Sequence, residues 1–129
     1  MKILRADYDE MVAHAREEAP DECCGYLWFS DGQIDGVKRG ENERHSRYGY
    51  ELDADSRFQV WKLEEEGVSV GAYHSHPVSP AEPSQTDINL AGEPTWLYVI
   101  VSGTHEPRVR GWWIRDGQVT EEELDVVDG

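Results

Sequence analysis

Lysine is almost missing from this chain. Lys2, Lys38 and Lys62 are the only three, within 12 basic residues that face 27 acidic ones for a net charge of −15. Such a field repels phosphate backbones and anionic lipid head groups, so nucleic acid and membrane are poor partners. The acid excess is spread along the chain with short clusters at Glu64–Glu66 and Glu121–Glu123, which reads as a solvated surface and not an acidic tail. Long apolar runs are also lacking, and none approaches the length that spans a bilayer. The stretch Met1–Glu10 carries charges where a signal peptide needs its apolar segment, so a cytoplasmic protein is expected. Cysteine is confined to the neighbours Cys23 and Cys24. Adjacent residues rarely reach disulfide geometry, and without a CxxC or a second pair there is no zinc ribbon. Both thiols are expected to be small buried hydrophobes. Repeats, low-complexity tracts and linkers are absent, and residues 1–129 are expected to form a single domain.

What is present divides into short elements. Asp7 with Glu10 reads as a capping pair opening a helix to about Ala19, with Tyr8, Met11, Val12 and Ala15 on one face and Pro20 closing it. Gly25 to Phe29 and Gln33 to Arg39 read as a hairpin around the turn signal Ser30-Asp31-Gly32. Tyr48 to Leu52 is a weaker strand. Asp53, Asp55 and Ser56 offer caps for a helix to about Glu66, carrying Phe58 and Trp61 and stopped by Gly67. Val68 to His74 is a strand, followed by a loop with Pro77, Pro80 and Pro83, and Ser84 can cap a short helix ending near Gly92. Trp96 to Ser102, Arg108 to Arg115 and Gln118 to Val126 complete the chain as strands. The expected fold class is α/β (α+β): a mixed, largely antiparallel sheet flanked by helices.

The segment Gly71–Asp87 carries the chemistry. His74 and His76 lie two apart at a strand end, so both imidazoles leave the same face of the sheet. Pro77 stops the ladder behind them, and the three prolines lower the entropy of holding the loop's far end. There Asp87 sits in the first turn of a capped helix, able to face the histidines. Two imidazoles and one carboxylate are a common catalytic zinc set that leaves the fourth position open. A lone His-x-His is more often a surface pair; the downstream acid and the braced loop favour metal here. Hydrolysis at such a centre needs a base, and no HExxH supplies one. Glu22, just before the apolar strand, lies where partial burial raises a carboxyl's pKa. By residue type alone it remains one of 16 glutamates.

Glu22, then His74-Ser75-His76-Pro77, then Ser84-x-x-Asp87 resembles the JAMM (MPN+, Mov34/JAB1) motif of zinc metallopeptidases, with all five functional positions in order. The resemblance covers essentially the whole chain. It implies the JAMM/MPN, cytidine deaminase-like fold, with His74, His76 and Asp87 ligating zinc. Glu22 would take a proton from the attacking water and pass it to the leaving amine, and Ser84 would hydrogen-bond the oxyanion. Ser84 also reads as a plain helix cap, and Ser75, on the opposite face, as a packing residue. The stretches Met11–Leu27, Phe58–Glu65 and Pro83–Ala91 resemble the bacterial Mec-type branch. That implies as partner a small ubiquitin-like sulfur-carrier protein, whose C-terminal Gly-Gly tail would lie extended against a strand edge beside the zinc. Pro77 resembles the deubiquitinases instead and keeps isopeptidase cleavage open. Two other readings remain: a catalytically silent MPN scaffold for protein contacts, and a RadC-like relative. Silent members lack ligands that are present here. A DNA-binding extension is not expected in this chain, and its charge is wrong for DNA.

Overall fold

The computed structural model describes residues 1–46 and 49–129. Its strands form one sheet in the order β7-β6-β5-β4-β2-β3-β1-β8. These are β1 (Lys2–Leu4), β2 (Cys24–Ser30), β3 (Gln33–Arg39), β4 (Ser69–His76), β5 (Leu97–Ser102), β6 (Val109–Arg115), β7 (Gln118–Glu122) and β8 (Asp125–Val127). The helices are α1 (Arg5–Glu18), α2 (Ala54–Glu65) and α3 (Gln85–Leu90). The β5–β4, β3–β1 and β1–β8 pairs are parallel and the rest antiparallel, giving the mixed sheet with helices that the sequence leads one to expect.

The β2–β3 hairpin turns on Asp31 and Gly32, both at positive φ (46° and 75°), the turn whose twist matches its strands. α2 starts at the Asp53 cap, whose carboxylate accepts the Ser56 amide at 3.2 Å and its hydroxyl at 2.7 Å. It presents Ser56 and Val60 to the sheet. Phe58 and Trp61 face outward, 53% and 55% exposed, and stack on each other.

Three expectations need correction. α1 begins at Arg5, two residues before Asp7, and Leu4 at its N-cap offers no side-chain cap. The reason is β1, a three-residue strand too short for a sequence pattern, which runs directly into the helix. The last strand is two strands: β7 pairs with β6, whereas β8 pairs with β1 at the opposite edge. Residues 123–124 make that link. A flat sheet of this width would need about 34 Å, seven spacings of about 4.8 Å. Three peptide steps reach only about 11 Å. The sheet therefore curls until its edges approach. Finally, of the weak strand at 48–52, Tyr48 lies outside the described residues, and Leu52 makes only an isolated bridge with Asn42.

Strand alternation sorts the core into two faces. Cys23, Leu27, Tyr73, Val99 and Val101 pack under α1 with Met11 and Ala15. Cys24, Tyr26 and Val70 pack under α2 with Val60. Tyr98, Ile100 and Ile114 pack near α3 with Ile88. Both cysteines are free and buried, as expected. Among the described residues no helix is long and apolar enough to cross a membrane.

Candidate active site

β4 runs through the middle of the sheet, flanked by β2 and β5, and its last residues deliver the site. Alternation puts Tyr73 and Ser75 on the α1 face and His74 and His76 on the other. Ser75 is structural: its Oγ accepts the Cys23 amide at 2.8 Å, and its own amide donates to the Cys23 carbonyl at 3.1 Å. That second bond extends the ladder past the Cys24–His74 pair, so the same register sets Glu22 opposite His76.

Asp87 arrives from α3. Ser84 and Asp87 form a reciprocal capping box, Ser84 Oγ accepting the Asp87 amide at 3.1 Å and Asp87 Oδ2 accepting the Ser84 amide at 2.9 Å. The box aims the carboxylate at the histidines. His74 Nε2 lies 3.1 Å from Asp87 Oδ1, His76 Nε2 lies 3.0 Å from Asp87 Oδ2, and the two Nε2 atoms are 3.2 Å apart.

These distances define an electron-rich point. His76 Nδ1 is 2.9 Å from the Pro80 carbonyl, which can only accept, so Nδ1 carries the hydrogen and neutral His76 turns a bare Nε2 lone pair inward. Ligand atoms from all three side chains fall within 4.8 Å of one another. A proton or a cation must sit among them. Burial lowers the His74 pKa. For His76, burial is outweighed by hydrogen bonds to Asp87 and to the Pro80 carbonyl, and its pKa rises. Burial also opposes the charge of Asp87, but its bonds from His74 and His76 hold its carboxyl far below the usual range. The residues thus fit a divalent metal: two imidazoles, one firmly ionised carboxylate and a carbonyl fixing one tautomer.

Glu22 is 7% exposed, and its Oε1 has no hydrogen-bond partner among the described residues. Burial, reinforced by Asp87, raises its pKa from 4.5 to about 7, against the lowering effect of His76 and Arg44. Glu22, His76 and Ser84 line one groove of about 730 Å³ whose other walls include Pro20, Pro77 and Val78. A smaller cavity of about 190 Å³ adjoins His74 and Asp87, walled by Tyr50, Leu52, Ile100 and Ile114. The structure thus brings His74, His76 and Asp87 together and sets Glu22 and Ser84 along the groove that reaches His76. Two participants escaped the sequence reading. Tyr50 stacks on His74 with ring centroids 4.5 Å apart, and nothing in the sequence marks it. The Pro80 carbonyl orients His76, and the proline-rich loop was its only signal.

The chain belongs to the JAB family, of JAMM/MPN type: residues 4–115 match the family described as prokaryotic homologs of the JAB domain. With that membership goes the class of activity, a peptidase-type hydrolase. The chain is 42% identical to a CysO-cysteine peptidase of Mycobacterium tuberculosis, across 98% of this chain and 91% of that protein. It is 33% identical to a desampylase of Haloferax volcanii, across 81% of each. Among solved structures it resembles one described as JAMM, a metalloprotease-like zinc site in the proteasome and signalosome. The TM-score is 0.62 at 25% identity, over 98% of this chain and 97% of the other.

Proposed function

We propose that this protein is a zinc-dependent peptidase that hydrolyses the amide bond after the C-terminal glycine of a small ubiquitin-like sulfur-carrier protein, releasing cysteine or another amine. The observation that carries the reading is the convergence of His74 Nε2, His76 Nε2 and the Asp87 carboxylate on one point. When bound there, zinc supplies Lewis acidity to a water and to the scissile carbonyl. His74, His76 and Asp87 hold it, with the Pro80 carbonyl fixing the tautomer of His76.

Glu22 moves the proton. Its buried carboxyl has a proton affinity near neutrality, so it can accept a proton from the attacking water and release it to the departing nitrogen within one turnover. Ser84 serves as cap and catalyst together. Its hydroxyl oxygen accepts the Asp87 amide through a lone pair, which leaves its own O–H to donate to the carbonyl oxygen as negative charge builds there.

The carrier's Gly-Gly tail lies extended in the groove beside His76, where the absence of side chains lets its backbone come close. Both ladders of β4 are already taken, so the tail pairs with exposed loop backbone and not with a sheet edge. The 42% identity to a CysO-cysteine peptidase supports release of cysteine. The desampylase likeness supports a protein conjugate as second substrate. A silent scaffold has no use for an intact donor set with a buried base beside it, and the charge of −15 disfavours a RadC-like role on DNA.

The test is cleavage of a carrier–cysteine adduct beside the same carrier ending in Ala-Ala, with an isopeptide-linked conjugate as a third arm. We expect the Gly-Gly adduct to be cleaved at least about tenfold faster, since a methyl in a close-fitting channel is worth roughly 10-fold or more. Equal rates would rule out tail threading.

A further inference from the structure

Asn42 lies outside the chemistry described so far, yet it is buried, 8% exposed, between the base and the wall of the metal site. Every hydrogen-bonding position of its side chain is used. Nδ2 donates to the Glu22 carbonyl and to the Gly49 carbonyl, each at 3.0 Å. Oδ1 accepts the Arg44 amide and the Glu51 amide, again at 3.0 Å. A primary amide has two donors and two acceptor lone pairs, so this is its full capacity.

What these four bonds join matters more than their number. Glu22 precedes β2 and receives no β-ladder bond of its own; its backbone is held by its amide donating to the Ser46 carbonyl at 2.8 Å and by Asn42. Gly49 and Glu51 bracket Tyr50, the ring that stacks on His74. One side chain therefore fixes the backbone of the base and of the residue covering a metal-site histidine, on two segments that only tertiary contacts bring together. Among the described residues Glu22 Oε1 has no partner to orient it, so the placement of its backbone decides where the carboxylate sits.

We infer that Asn42 is a positioning residue for the reaction: it sets the distance between the Glu22 carboxylate and the His74–His76–Asp87 centre. The inference rests on the proposed role of Glu22 as base. Misplacing a reacting group by an ångström costs on the order of 10²-fold in rate. The effect should fall on kcat, with KM moving little, because Asn42 does not line the groove assigned to the carrier tail.

A double-mutant cycle on kcat tests this, with zinc content and far-ultraviolet circular dichroism measured on every variant. Asn42→Ala is expected to lower kcat by about 30- to 100-fold with KM, zinc and fold preserved. In the Glu22→Gln background the same change should cost less than about twofold, because the group it positions is gone. Asn42→Asp keeps both acceptor bonds to Arg44 and Glu51 and sets an oxygen that cannot donate against the Glu22 and Gly49 carbonyls, so it retains half of the network if Asn42→Ala does not fold, and it should show at least the same loss. Equal losses in both backgrounds, or full kcat in Asn42→Asp, would overturn the inference alone. Full activity of Glu22→Gln by itself would overturn the base assignment and this inference with it.

Discussion

The two halves of the proposed site, metal ligands and base, are built in opposite ways. The metal half comes from one stretch, residues 74–87: a strand end, a proline-braced loop and a capped helix, each closed by bonds between near neighbours such as His76 to Pro80 and Ser84 to Asp87. The base half comes from far away in sequence. Glu22 is placed by the register of β2 on β4 and by contacts from Ser46 and Asn42. A locally closed unit resists distant change, whereas a group held only by tertiary contacts can be lost without disturbing its neighbours. The contrast is useful because each half can be broken alone.

Breaking the metal half has the largest expected effect. His74→Ala removes one donor from the convergent set and should abolish both zinc binding and turnover, read by metal content and the adduct assay. Detectable turnover with normal zinc content would show that the ligands lie elsewhere. Breaking the base half is milder. Glu22→Gln should keep zinc and fold while losing about 10²-fold or more in kcat, the scale of general-base catalysis. The same substitution sharpens the comparison through stability. The folded state favours protonated Glu22, its pKa raised from 4.5 to about 7, so the wild type is not penalised below pH 4.5, is increasingly penalised as the pH rises from there to about 7, and is fully penalised above that. Metal-free Glu22→Gln should therefore be more stable than wild type at pH 8 by about 2 kcal/mol, with the gain gone at pH 4. Denaturant unfolding at the two pH values measures it; a gain independent of pH would assign it to something other than the buried charge. Removing zinc by chelation has the smallest structural effect. The core is sheet and helix on both faces and does not rest on metal ligands, so the circular dichroism spectrum at 25 °C should hold while activity disappears.

The same contrast explains what could be read in the sequence. His74, His76, Ser84 and Asp87 were legible because short-range rules place them: period-two alternation, proline after a strand, a cap before a helix. The hairpin at Asp31-Gly32 and the cap at Asp53 were legible for the same reason. Glu22 was not separable by residue type from the other glutamates, and its motif resemblance supplied what spacing could not. Asn42 and Tyr50 act through partners whose nearness exists only in the fold. β1 escaped, and β8 was not separated from β7, because three residues are too few to display a period and the pairing of β1 with β8 joins distant parts of the chain.

That pairing bears on how the molecule assembles. β1 meets β8 through Lys2–Asp125, Ile3–Val126 and Leu4–Val127, contacts separated by nearly the whole chain, and such closures are entropically slow. The strands around the metal site, β2, β4 and β5, all lie between residues 24 and 102, with β4 pairing directly with each of the other two. During synthesis on the ribosome these strands can thus take shape while the first strand, beside β3, still waits for β8. In pulse-labelling hydrogen exchange, amides of β4 should gain protection before those of β8.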